Sequence, residues 1–274
     1  MTNSDIEGHY SRGDLYQAIL DALAAAGKDI AHLTPQDLEL VDHFHGRGVA
    51  ATAEMAATLE LSKGDQVLDI GSGVGGPARF LAMTHGCQVV GIDLTAEFCV
   101  VAERLTQAVG LADKVRFEQA SATALPFDDG RFHAAYSQNV PMNVADKAAM
   151  FGEAFRVLRP GGVFALSELA LGDGGAVIYP TPWSSDGVHS YLLTEADTVA
   201  ALEQAGFEIV SVKDNIAAIR QFRQEQRELV ARDGPPKLGA FILMGEGAEE
   251  KGRNTARNLE EGRTRAIEIL CRRT

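Results

Sequence analysis

Val67-Leu68-Asp69-Ile70-Gly71-Ser72-Gly73-Val74-Gly75-Gly76 decides how this chain is read. A short apolar run ends beside a carboxylate, turns on glycines, and is followed by a helix predicted over Pro77 to Met83. Strand, glycine turn and helix in that order let backbone N–H groups approach a bound ligand closely. No Gly-Lys-Ser/Thr follows the glycines, so a phosphate loop of the nucleoside-triphosphatase kind is excluded.

Outward from that turn the texture repeats. Gln88 to Ile92 reads as a second strand ending at Asp93, and Thr95 reads as the cap of a helix to Ala108. Val115 to Gln119 is a third strand and Ala134 to Ser137 a fourth. A helix is predicted from Asp146 to Val157. The turn Arg159-Pro160-Gly161-Gly162 then leads into a fifth strand, Val163 to Ser167. Beyond a Gly/Pro-rich segment that takes no assignment come a helix from Glu195 to Gly206 and a strand from Phe207 to Val212. A charged helix spans Ile216 to Ala231, Gly234-Pro235-Pro236 breaks it, and more helix reaches about Glu261. Arg265 to Cys271 reads as a last strand. Strands alternating with helices of this length specify a doubly wound, mostly parallel sheet, an α/β fold.

Before the first strand the pattern is helical. Leu15, Ile19, Leu20 and Leu23 recur at helical spacing. Thr34-Pro35 starts a second helix with Thr34 as N-cap, and a third runs from about Gly48 to Leu59. The expected organisation is a helical cap over 1–64 and a sheet domain over 65–274. A helical insert at about 216–262 would belong to the same structural unit.

Composition excludes several classes. The chain has 274 residues, 25 Lys+Arg against 38 Asp+Glu, and a formal charge of −13. That acidic balance argues against a protein that tracks nucleic acid. No apolar run approaches the roughly 20 residues of a membrane helix. Cys87, Cys99 and Cys271 are odd in number and far apart, which fits reduced thiols rather than a disulfide framework. The first residues carry no basic and apolar leader pattern, so the expected location is cytoplasmic.

Two ligand patterns fit the glycines. Gly71, Gly73 and Gly76 match the dinucleotide G-x-G-x-x-G, and Asp69, Gly71, Gly73 and Gly75 match the Asp-x-Gly-x-Gly-x-Gly of S-adenosylmethionine sites. Asp69 separates them. A carboxylate there suits a ligand with an ammonium group and repels a pyrophosphate at close range. Asp93, 22 residues past Gly71, can accept both hydroxyls of a ribose, which either ligand demands.

Val67 to Gly76, Gly91-Ile92-Asp93-Leu94-Thr95, Ala124-Leu125-Pro126-Phe127 and Arg156-Val157-Leu158-Arg159-Pro160-Gly161-Gly162 occur in that order. Together they resemble the successive motifs of class I S-adenosylmethionine-dependent methyltransferases, a seven-stranded Rossmann-like fold. The resemblance covers about Asp65 to Val212 and makes the last strand that fold's antiparallel seventh. It implies S-adenosylmethionine as methyl donor and S-adenosylhomocysteine as product. By it Gly71, Ser72 and Gly73 pass beneath the methionine part, with Asp69 and Gln138 beside them. Asp93 holds the ribose, Leu94 packs on adenine, and Ser121 and Ala122 lie at the adenine edge. Ser121 stands where many relatives carry Asp, a departure at that contact. Tyr10 would close over the cofactor.

Gly8-His9-Tyr10, Leu33-Thr34-Pro35, Asp42-His43-Phe44-His45, Gly75-Gly76-Pro77-Ala78-Arg79 and Arg257-Asn258-Leu259-Glu260-Glu261 further resemble bacterial sarcosine/dimethylglycine-type N-methyltransferases. This resemblance points to a small amine or amino acid as acceptor; an oxygen, sulfur or carbon nucleophile is the alternative, and a nicotinamide-dependent dehydrogenase a distant one. An amine must shed a proton before it attacks. His43 or His45 is the expected base, since imidazole titrates near neutrality. The His-x-His spacing lacks third and fourth ligands, so no metal is expected. Arg47, Arg253 and Arg257 are the cations available for an acceptor carboxylate. Trp183 is a candidate wall for a methylated ammonium, though beside proline it reads first as packing. Asn139 and Met142 complete the expected acceptor residues. The expected partner is a small molecule, with neither nucleic acid nor membrane, and the expected state is monomer or homodimer.

Overall fold

The computed structural model describes residues 8–11 and 13–274. Residues 8–10 are helical, and among the described residues three further helices precede the sheet: α1 (Leu15–Ala25), α2 (Pro35–Asp42) and α3 (Val49–Thr58). In α1 the spacing Leu15, Ile19, Leu23 puts three fully buried side chains on one stripe. Each contributes about 1.5–3 kcal/mol on burial. They pack with Leu38 and Val41 of α2. Thr34 and Asp37 close a capping box at the start of α2, the Thr34 N–H donating to Asp37 at 2.9 Å.

The sheet core alternates strand and helix. It runs β1 (Gln66–Ile70), α4 (Gly76–His85), β2 (Gln88–Asp93), α5 (Ala96–Ala108), β3 (Val115–Gln119) and β4 (Phe132–Gln138). A 3₁₀ turn (Pro141–Asn143), α6 (Lys147–Val157), β5 (Leu158–Leu171), α7 (Glu195–Gln204) and β6 (Phe207–Asp214) follow. The insert is α8 (Ile216–Asp233), α9 (Phe241–Met244) and α10 (Ala248–Glu260), and β7 (Thr264–Arg273) ends the chain. The seven strands lie in the order β3-β2-β1-β4-β5-β7-β6. β1 to β5 pair in parallel, and β7 runs antiparallel between β5 and β6.

Period-two alternation puts a core on each face. Leu68 and Ile70 face Met150, Phe151 and Ala154 of α6. Val67, the residue before Leu68, faces the other way, toward Met55 of α3 and Leu81 of α4. β1 is flanked by β2 on one side and β4 on the other, so the strand order reverses there. The crevice at its carboxyl end is where an open α/β sheet binds ligands.

Two local expectations are corrected. Thr95 makes no side-chain cap bond; the carboxylate of Asp93 accepts the Thr95 N–H at 2.9 Å instead. The fifth strand does not stop at Ser167. Antiparallel pairing with β7 carries it through Glu168, opposite Ile267, to Leu171, opposite Thr264. The unassigned segment after it holds only an isolated Thr181–Ser184 bridge. All three cysteines are buried and free. Among the described residues no helix is long and apolar enough to cross a membrane. The first seven residues, read for a leader, lie outside the described residues.

Candidate active site

A cavity of about 580 Å³ opens at the carboxyl edge of the sheet. The glycine turn forms its floor. Gly71 adopts φ +81°, and a Cβ there would stand 2.1 Å from Val140, so only glycine lets this turn pass under the loop after β4. Gly76 is held for a second reason: a Cβ would meet the Asp42 carbonyl oxygen at 2.3 Å. That close approach seats the end of α2 on the start of α4 and brings the histidine turn to the cavity.

Asp93 is fixed by two backbone donors, Gly73 N–H at 2.9 Å and Thr95 N–H at 2.9 Å. Burial nonetheless holds its carboxyl above its ordinary value. Asp69 is buried, with one carboxylate oxygen that meets no donor, and burial pushes its pKa up to about 7. Ser72 Oγ and Gln138 Oε1 are likewise buried without partners. Asn139 sits at φ +57°, a conformation Asn tolerates, with its N–H donated to Ser167 at 2.8 Å. The Ser121 hydroxyl pairs with Thr123 at 2.8 Å, and Leu94, Ser121 and Ala122 share one wall. Tyr10 lines the cavity, its hydroxyl donating to Asn143 at 2.9 Å and its ring against Phe98. Burial raises its pKa.

Among the described residues eleven buried side-chain polar atoms lack a hydrogen-bond partner, and eight belong to residues that line this one cavity. Buried polar groups are normally paired, so such a cluster marks where a polar ligand completes the bonding. The set is rich in acceptors: Asp69, Gln138 and both oxygens of Glu168. It fits a ligand that brings ammonium and hydroxyl donors.

On the acceptor side the structure gathers some expected residues and not others. His45 lines the cavity, but burial, with His43 and Arg47 nearby, pushes its pKa down to about 3. The expectation of a base titrating near neutrality is therefore corrected: this imidazole stays neutral and offers a lone pair, not a proton store. His43 is sealed beneath the wall, bound to Thr52 at 3.0 Å, with burial pushing it down to about 4. Arg47 reaches the wall with its fork already spent on Glu54, two bonds of 2.7 Å. Arg253 and Arg257 do not reach it. Both are exposed on α10 and pair one turn away, with Glu249 and Glu261. The helix turns those faces to solvent and presents Gly252, Thr255 and Leu259 to the cavity instead. Trp183 and Met142 are buried in the wall and pack together, the indole N–H donating to Ser190 at 2.9 Å.

Two residues escaped the sequence reading. Glu168 lies in the cavity wall, 2% exposed, with neither carboxylate oxygen partnered; the nearby Thr198 hydroxyl donates to the Thr194 carbonyl instead. Burial holds Glu168 above the usual carboxylate range, opposed by Lys147. Lys147 is tied down by the carbonyls of Pro141, Val144 and Tyr191 at 2.6–2.7 Å. Arg223 of α8 also lines the cavity and is the start of a second pocket shared with Arg220 and Arg227. Among the described residues it forms no ion pair or hydrogen bond; burial lowers its pKa, opposed by the carboxylate of Glu260. A lone carboxylate inside an apolar strand was the available mark of Glu168. Nothing in sequence set Arg223 apart from the other arginines of α8.

Residues 68–166 match the family model described as a methyltransferase domain. The chain is 35% identical over 200 residues to a phosphoethanolamine N-methyltransferase of Triticum aestivum, covering 71% of this chain and 38% of that protein. It is 32% identical over 160 residues to methyltransferase GfsG of Streptomyces halstedii, covering 58% of each. The chain thus spans less than two thirds of the length of these curated relatives. The solved structure of Haemonchus contortus phosphoethanolamine N-methyltransferase 2 with S-adenosyl-L-methionine shares the fold at 18% identity. Its TM-score is 0.73, over 99% of this chain and 60% of that one. Glycine turn, acidic strand ends, antiparallel seventh strand and domain match converge: residues 68–166 form the core of a methyltransferase domain of the class I, S-adenosylmethionine-dependent kind.

Proposed function

We propose that this chain methylates the nitrogen of a small amine or amino acid, with the acceptor beside Glu168. S-adenosylmethionine, when bound, supplies an electrophilic methyl on a cationic sulfur. In this reading Asp69, Ser72 and Gln138 meet the methionine end over Gly71 and Gly73, and Asp93 takes the ribose. Leu94, Ser121 and Ala122 border the adenine, and Tyr10 closes the near side. The N-terminal cap and the insert act with the sheet as one unit, a reading supported by Tyr10, His45 and Arg223 all lining one cavity.

The observation that carries the amine reading is Glu168. A buried carboxylate with no donor costs free energy unless a cation or N–H group meets it. An acceptor ammonium does both. Held above the usual carboxylate range, Glu168 is also matched to taking the ammonium's proton near neutral pH. Arg223, which among the described residues makes no hydrogen bond or ion pair, is the cation for an acid group on the acceptor. It replaces Arg253 and Arg257 in that role, while Asn139, Met142 and Trp183 shape the wall between. The chain's remaining task is alignment and exclusion of water.

The test is an acceptor screen scored by S-adenosylhomocysteine release. Glycine, sarcosine, dimethylglycine and phosphoethanolamine are run beside neutral amines, thiols and phenols. Release with amines that carry an acid group is expected. Release with thiols or phenols alone contradicts the reading.

A further inference from the structure

The turn between α2 and α3 buries a chain of polar groups that ends at the cavity. Arg79 donates to Asp42 Oδ2 at 2.8 Å. The other oxygen, Asp42 Oδ1, has no hydrogen-bond partner and lies 3.6 Å from His43 Nε2. His43 Nδ1 is 3.0 Å from Thr52 Oγ1, and the same oxygen is 3.1 Å from His45 Nε2. His45 Nδ1 is buried and unpartnered. Thr52 itself is fully buried.

A hydroxyl carries one proton, so Thr52 donates to at most one ring and accepts from the other. Asp42 decides which. A carboxylate paired with Arg79 attracts an N–H on His43 Nε2 and repels a lone pair there. With Nε2 protonated, His43 Nδ1 is the acceptor and Thr52 donates to it. Thr52 Oγ1 then accepts from His45 Nε2–H, and His45 Nδ1 is left as a bare lone pair. The reverse order sets a lone pair of His43 against the carboxylate and strands an N–H on His45.

We infer that Asp42, His43 and Thr52 form a relay that fixes the tautomer of His45, so that its Nδ1 accepts a hydrogen bond from the N–H of the acceptor. Thr52 is a positioning residue: it touches no ligand and acts through His45. The orienting role rests on the amine reading above; the tautomer does not. Neutral His45 holds the amine by its N–H, and Glu168 takes the proton.

The experiment is a long-range ¹H–¹⁵N correlation spectrum of the ¹⁵N-labelled, ligand-free chain. His45→Gln assigns the His45 ring. The wild type is expected to show His45 protonated at Nε2 and bare at Nδ1. Thr52→Val keeps the side-chain shape and removes the hydroxyl; it should lose that pattern. It should also lower kcat/KM for the acceptor about tenfold, the loss of one hydrogen bond, with cofactor affinity unchanged. Thr52→Ser should retain both pattern and rate. A proton on His45 Nδ1 in the wild type overturns the relay, as does a Thr52→Val spectrum that keeps the pattern. Because the spectrum is read without acceptor, a wrong acceptor class leaves the tautomer result standing. An unchanged rate in a Thr52→Val chain that has lost the pattern removes the orienting role.

Discussion

Arg79 and Asp42 form an ion pair at 2.8 Å that is almost wholly removed from solvent. The same guanidinium reaches the Val74 carbonyl of the glycine turn at 2.7 Å and Thr106 of α5 at 2.9 Å. One side chain therefore ties the helix after the glycine turn, the turn itself, α5 and the segment before the histidines. Removing it leaves a buried carboxylate uncompensated. Arg79→Ala should cost about 3–5 kcal/mol of stability, read as a lower urea midpoint. Arg79→Lys should recover little, because a single ammonium cannot reproduce the fork. A midpoint within experimental error of wild type would show that the pair contributes nothing.

Asp69, in its proposed place at the cofactor's ammonium, should give cofactor binding a pH dependence with a definite sign. Its pKa in the ligand-free chain is raised by burial to about 7, so it stays protonated below that value. A ligand ammonium needs the ionised form. Affinity for S-adenosylmethionine should therefore rise with pH up to about 7 and level off above it. In the ligand-free chain the sign is opposite. The stability Asp69 contributes is fully present below the ordinary carboxylate pKa and lost as pH rises through about 7. Calorimetric titration from pH 5.5 to 8.5 reads the first effect, at roughly tenfold per unit below the break. Asp69→Asn should bind more weakly and flatten the slope. A flat wild-type profile would remove Asp69 from the cofactor's ammonium.

Arg223 should report on the acceptor's acid group. Arg223→Ala is expected to raise KM for an acidic acceptor about 10- to 100-fold, the loss of one charged hydrogen-bonding partner. The affinity for cofactor should not change. Arg253→Ala and Arg257→Ala serve as contrasts, since both side chains are exposed and paired on α10. Equal effects from all three would mean a general field of positive charge rather than a contact.

The sequence was most legible where local chemistry and global fold agree. Val67 to Gly76 announces strand, turn and helix through its own periodicity and glycines, and Asp93 follows at the distance a second strand requires. The acceptor side was harder because it depends on long-range burial. His45 looked like a base from its residue type, but its environment sets it far from neutrality. Arg253 and Arg257 looked available because sequence does not show which face a helix turns inward; Gly252, Thr255 and Leu259 take that face. Glu168 was hidden because the extra length of β5 comes from pairing with β7, about a hundred residues later.

Glu168→Gln tests the account most directly. It keeps the shape of the side chain and removes the charge and the proton site. With the best amine from the acceptor screen, wild-type kcat/KM should rise with pH along a limb displaced above the ordinary carboxylate range. In Glu168→Gln the rate should fall about 10²- to 10⁴-fold, that limb should vanish, and S-adenosylmethionine should bind as before. A variant that methylates the amine at the wild-type rate with the same pH limb would contradict the account.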